Sequence, residues 1–110
     1  MDNIYLANAF SLQMINNFPC DIHVEELDGI NADYICIQAN TPEDHPNHIV
    51  SAVGHADTAN VLNVPCNRIN VSLKKGDTLY VAQLIGGRLP EGCTKLPEGF
   101  TFKFLKVTIK

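Results

Sequence analysis

Short apolar runs separated by polar, glycine and proline punctuation organise this chain, and the period inside each run predicts its element. Ile4-Tyr5-Leu6-Ala7 reads as a strand ended by Asn8, after which Ser11 is placed to cap a helical turn through Leu12, Met14 and Ile15 that stops before Pro19. Ile22 to Leu27 and Tyr34 to Gln38 read as two strands, and the turn-prone Asp28-Gly29-Ile30-Asn31 between them predicts a hairpin. Thr41-Pro42-Glu43-Asp44-His45-Pro46-Asn47 is loop-like, and Ile49 to Val53 reads as a strand.

The second half continues the alternation. After His55 there is room for about two helical turns before Pro65. Ile69, Val71 and Leu73 alternate with Asn70 and Ser72, which predicts a strand with one buried face, and Lys74-Lys75-Gly76-Asp77 supplies the turn into Leu79 to Ile85. That last run is apolar on both parities and belongs in the middle of a sheet, with Gln83 as its polar exception. Phe100, Phe102 and Phe104 share one parity while Leu105, Val107 and Ile109 share the other. A bulge, or burial of both faces, accounts for the switch. No repeat or low-complexity segment is present.

At 110 residues the chain forms one domain with a single core, small enough that a site shared between two copies is a reasonable expectation. No apolar run has the length of a membrane span or of a signal peptide's core, which reads as a soluble, cytoplasmic protein. Cys20, Cys36, Cys66 and Cys93 are widely spaced without a Cys-x-x-Cys pair, so buried free thiols are expected. A net charge of -4 argues against sequence-independent binding to long nucleic acid. It leaves room for a small anionic ligand in a locally positive pocket.

Two polar islands carry the chemistry: Gly54-His55-Ala56-Asp57-Thr58-Ala59 and Arg88-Leu89-Pro90-Glu91-Gly92. They supply an imidazole, a guanidinium and a carboxylate, a set able to do acid/base chemistry on a phosphate. Gly54 permits a tight strand-to-helix turn, and the first N–H groups of a helix favour phosphate, so His55 stands where a phosphate would sit. Its structural reading is a strand end with a capping role. Arg88 offers a planar fork for phosphate oxygens, and the turn Leu89-Pro90-Glu91-Gly92 can aim Glu91 at a histidine or hydroxyl. A surface loop with an i, i+3 ion pair is the structural alternative. Asn67-Arg68 reads either as a phosphate contact or as a strand edge. His45 and His48, with Glu43 and Asp44, have metal-ligand types but sit in a loop without orienting partners. Phosphate-loop, serine-elbow and His-Glu-x-x-His motifs are lacking, which favours chemistry with neither metal nor cofactor.

Taken in chain order, Leu6-Ala7-Asn8-Ala9-Phe10-Ser11, Gly54-His55-Ala56-Asp57-Thr58-Ala59, Asn67-Arg68 and Arg88-Leu89-Pro90-Glu91-Gly92 resemble the viral ring nucleases, the type III anti-CRISPR family of small archaeal-virus, phage and mobile-element proteins. The likeness spans nearly the whole chain. It departs from the family pattern in a short helix after His55 and in Gly86-Gly87, which puts Gln83 five residues before Arg88 instead of four. The resemblance implies an α/β (α+β) fold, a single-domain mixed β-sheet over residues 1–110 flanked by a few short helices and paired as a homodimer around a two-fold cleft.

The activity it implies is metal-independent cleavage of cyclic tetra-adenylate to linear diadenylate, which would silence type III CRISPR immunity in the host cytoplasm. By matching position, His55 corresponds to the general acid, Arg88 to the residue that stabilises the phosphate in the transition state, and Glu91 to their catalytic partner. Asn8, Ala9, Ser11, Thr58, Arg68 and Gln83 correspond to ligand contacts. Two other functions fit the same residues: cleavage or sequestration of another cyclic oligonucleotide or dinucleotide messenger, and a non-catalytic interaction module.

Overall fold

The structure is a computed structural model that describes residues 4–16 and 18–110. Its elements in chain order are β1 (Ile4–Ala7), a 3-10 turn (Leu12–Met14), β2 (Ile22–Leu27), α1 (Gly29–Ala39), β3 (Val50–Ala52), α2 (Ala56–Leu62), β4 (Thr78–Ile85) and β5 (Thr101–Ile109). The strands form one five-stranded sheet in the order β2-β5-β4-β1-β3. It is mixed: β3 and β4 pair parallel to β1, whereas β5 pairs antiparallel to both β4 and β2. The expected α+β architecture is therefore the observed one.

Each face of the sheet has its own core. Ile35 and Ala39 of α1 and Ala59 and Leu62 of α2 pack on Leu6 and Ala82. On the opposite face, Ile15 from the 3-10 turn region and Leu73 cover Ala7, Leu79, Val81, Val107 and Ile109. This two-sided cover explains why β4 is apolar on both parities, since Leu79 and Ala82 are both fully buried on opposite faces. It also explains β5. Pairing runs without interruption from Thr78↔Thr108 to Ile85↔Thr101, so there is no bulge at Phe104 and Leu105. Phe102 and Phe104 pack against the helical layer, and Leu105 and Val107 against the other.

Two expectations fail. Residues Tyr34 to Gln38 are not a strand, and no hairpin joins them to β2; they lie in α1, and β2 pairs instead with the C-terminal β5. Asp28, read as a turn residue, caps the helix, its carboxylate accepting from the Asn31 N–H at 2.9 Å. Ala32, Ile35 and Ala39 are buried at helical spacing, but Ile30, Tyr34 and Ile37 are exposed on the far side, so the apolar period is masked. Residues 69–73 are likewise not a sheet strand. Only Leu73 makes a bridge, parallel to Ile15, and it is fully buried while Ile69 is exposed. The alternation there comes from Leu73 and the partly buried Val71 packing on the non-helical core without a strand ladder.

Among the described residues no helix is long and apolar enough to cross a membrane. All four cysteines are free, but none is fully buried, and Cys66 is exposed. Burial on α1, with the Asp33 charge adding to it, pushes the Cys36 thiol up to about 11. A raised thiol withholds the reactive thiolate until the solution approaches that value. Alkylation of the native protein at pH 8, followed by peptide mass analysis, should modify Cys66 rapidly and leave Cys36 largely unmodified, with Cys36 gaining reactivity only as pH rises toward 11.

Candidate functional site

β1 lies between β3 and β4, and all three run in the same direction. The strands that follow β1 in its parallel group thus sit on opposite sides of it, and such switch points at carboxyl ends of parallel strands are where α/β sheets bind ligands. Asn8 follows β1, His55 follows β3, and Arg88 follows β4. With Thr58, Ala82, Leu84 and Leu89 they line one cleft of about 280 Å³.

His55 is the N-cap of α2, an unusual residue for a position that favours short oxygen-bearing side chains. Its Nδ1 accepts from the Thr58 backbone N–H at 3.4 Å, so the proton of the neutral ring is assigned to Nε2. The Thr58 hydroxyl lies 3.4 Å from the same Nδ1. A hydroxyl both donates and accepts, so Thr58 can partner the ring with or without a proton on Nδ1.

Gly54 has a role other than the expected backbone freedom. It lacks a positive φ, and a Cβ there would stand 3.2 Å from Arg68 Cγ. Arg68 Nε donates to the Gly54 carbonyl at 2.8 Å. The same segment runs along the outer edge of β3, where Asn67 donates its backbone N–H to the Val53 carbonyl at 2.8 Å and its side-chain Nδ2–H to the Ser51 carbonyl at 3.1 Å. Arg68 therefore braces the strand-to-helix turn beneath His55 and does not line the cleft.

The Arg88 loop is anchored at its base by Gly86. There φ is +122°, and a Cβ would meet the Gly99 carbonyl oxygen at 2.8 Å and Phe100 Cα at 3.0 Å. Leu89 is buried, Pro90 accepts from the Cys93 N–H at 3.2 Å, and the Gly92 N–H donates to Asp57 Oδ1 at 3.1 Å.

Four expected site residues thus come together: Asn8, His55, Thr58 and Arg88. Glu91 is exposed on the same loop and does not line the cleft. Ala9 and Gln83 line a separate groove of about 420 Å³ with Phe10, Val24 and Leu105, because Gln83 shares the parity of Val81 and faces the non-helical layer. Asn8 and Leu84 border both. Ser11 caps the 3-10 turn, accepting from the Gln13 N–H at 3.2 Å. Sequence reasoning missed Ala82, Leu84 and Leu89, which look like ordinary core residues, and the link from Asp57 to Gly92, for which no local signal exists.

A larger cleft of about 450 Å³ opens at the edge of β3, with Glu43, His48 and Asn67 in its lining but no lysine or arginine. It is poorly suited to a phosphate. His45 Nδ1 accepts from Asn47 N–H at 3.1 Å and His48 Nδ1 contacts the Thr41 hydroxyl at 3.3 Å, each within its own loop. Among the described residues no three histidine, cysteine or acidic side chains converge as metal ligands.

A family model described as STIV B116-like matches residues 4–101. Among solved structures the chain is similar to B116 of Sulfolobus turreted icosahedral virus, with 25% identity and a TM-score of 0.74 over 96% of this chain and 98% of that one. No curated protein matches it.

The glycine pair that opens the Arg88 loop separates two costs. Gly87→Ala, with φ +116° and its nearest neighbour 4.0 Å away, bears backbone strain alone, about 1–3 kcal/mol. Gly86→Ala adds a clash with backbone and should lose distinctly more stability. Urea denaturation of both variants measures the difference.

Proposed function

The chain belongs to the STIV B116-like family, and from that premise we propose that it is a metal-independent ring nuclease that opens cyclic tetra-adenylate into linear diadenylate. The observation that carries this reading is the cleft at the ends of β1, β3 and β4, where an imidazole and one of only two guanidiniums in an acidic chain face a common space. Local positive charge on a protein of net charge -4 favours a small anion over a long polyanion.

RNA carries its own nucleophile, so the protein's task is positioning and charge stabilisation. The ribose 2′-oxygen attacks the adjacent phosphorus in line, and Arg88 stabilises the charge that accumulates on the phosphoryl oxygens. His55, as imidazolium, gives its Nε2 proton to the departing 5′-oxygen, leaving a 2′,3′-cyclic phosphate and a 5′-hydroxyl. While the ring is charged, its Nδ1–H can donate to the Thr58 hydroxyl; once the ring is neutral, Nδ1 accepts from Thr58. Glu91, on the same turn as Arg88, is the carboxylate assigned to take the 2′-hydroxyl proton, a role that requires the turn to bring it from its exposed position to the cleft.

A cleft of about 280 Å³ is at the small end for even one drug-sized ligand. A ring of four nucleotides therefore calls for two copies of the chain, whose symmetric sites would cut it twice. The viral origin of B116 suits a role in blunting a host's nucleotide-signalled immunity. A second reading, capture of a cyclic nucleotide without cleavage, is favoured by one observation: Glu91 lies outside the cleft lining, so the attacking hydroxyl has no carboxylate beside it there.

Incubation with cyclic tetra-adenylate in the presence of a chelator, with products resolved by mass, tests the reading. Linear diadenylate bearing a cyclic phosphate is expected. His55→Asn keeps a competent cap, so the variant should fold and bind as before yet cleave about 100-fold more slowly or worse. Undiminished cleavage by it would remove His55 from the chemistry. Tight binding with intact ligand recovered from the unaltered protein would support capture instead.

A further inference from the structure

The imidazole and the guanidinium of the cleft stand on separate elements, His55 at the start of α2 and Arg88 on the loop after β4. Among the described residues, the bond from the Gly92 N–H to Asp57 Oδ1 is the one hydrogen bond that joins residues 87–92 to another element of the fold. It spans 35 positions of sequence. Its two ends lie close to the cleft in the chain: Asp57 is two residues after His55, and Gly92 is four after Arg88.

The loop has few other restraints. Gly86, Gly87 and Gly92 all have positive φ, at 122°, 116° and 77°, so the segment is built from residues with wide backbone freedom. Its base is fixed where Gly86 meets Gly99 and Phe100, and Leu89 is buried. Beyond Leu89 the chain is exposed, with Pro90, Glu91 and Gly92 all facing solvent. A bond to a carboxylate is stronger than one between neutral groups, and this one secures the distal end of a segment that is otherwise held by its base at Gly86 and by the buried Leu89.

We propose that Asp57 is a positioning residue of the cleft: by accepting from Gly92 it holds the Arg88–Glu91 turn at a fixed spacing from the His55 imidazole. Asp57 acts through the loop and touches no reacting atom. This inference rests on the ring-nuclease reading for its kinetic consequence, but not for its structural one.

A simpler role competes with it. A carboxylate in the first turn of a helix stabilises the helix through the dipole whether or not anything donates to it. Asparagine separates the two, because it retains an acceptor oxygen while losing the charge. If Asp57 positions the loop, Asp57→Ala should slow turnover of cyclic tetra-adenylate about tenfold or more, whereas Asp57→Asn should stay within about threefold of the unaltered protein. If it serves only the dipole, the two variants should resemble each other in both melting temperature and turnover.

Hydrogen exchange gives an arm that needs no cleavage, and its first measurement needs no variant. In the unaltered protein the Gly92 amide should exchange about tenfold or more slowly than its intrinsic rate, although it lies on an exposed turn. Protection should persist in Asp57→Asn and vanish in Asp57→Ala. Exchange of Gly92 at its intrinsic rate, or an Asp57→Asn as slow in turnover as Asp57→Ala, would overturn the proposal. A protected Gly92 in a protein that leaves cyclic tetra-adenylate intact would instead sustain the loop's tether and remove the ring-nuclease reading.

Discussion

The site depends on the pairing of β1 with a parallel strand on each side. Tyr5, Leu6 and Ala7 are in register with Val50 to Ala52 on one flank and with Leu79 to Val81 on the other. Leu6 and Ala7 are buried on opposite faces, in the helical and the non-helical core respectively. This arrangement sets the carboxyl ends of three strands side by side, although Asn8, His55 and Arg88 are far apart in sequence. Parallel strands cannot be joined by tight turns. The crossovers that satisfy this requirement contain α1 and α2, and α2 begins at the residue proposed to do the chemistry.

Elements defined by their own local pattern were legible in the sequence. β1, β2 and the strand Leu79 to Ile85 are read from period and punctuation, and the two-turn helix after His55 follows from the distance to Pro65. What misled was apolar content without a partner. Tyr34 and Ile37 look like half of a strand, yet they are the exposed side of α1, and only the burial of Ile35 and Ala39 in the fold defines its inner side. Leu73 looks like one member of a strand's alternating face, but its pairing is an isolated bridge to Ile15. In both places the deciding interaction is tertiary.

The same division runs through the site. His55 was legible as the residue between a turn-permitting glycine and a stretch with room for a short helix, where the first N–H groups favour phosphate. Arg88 stood out as a planar fork at the head of a turn. The places of Gln83 and Arg68 were not legible, since they depend on which face a strand presents and on which carbonyl a guanidinium reaches. Gly54 illustrates the point. Its lack of a side chain suggested a tight turn, whereas its neighbour Arg68 needs the room. Glu91 is close to Arg88 in sequence, and the fold keeps it on an exposed turn outside the lining of the 280 Å³ cleft.

Whether a cyclic oligoadenylate occupies the strand-end cleft is the claim on which the functional account stands. Backbone amide shifts of isotopically labelled His55→Asn protein, titrated with cyclic tetra-adenylate that this variant should leave uncut, test it most directly. The account predicts perturbations grouped at residues 8–11, 54–58 and 86–92. Shifts confined to residues 40–51 and 67, around the 450 Å³ cleft at the edge of β3, or no shifts at saturating ligand, would contradict it.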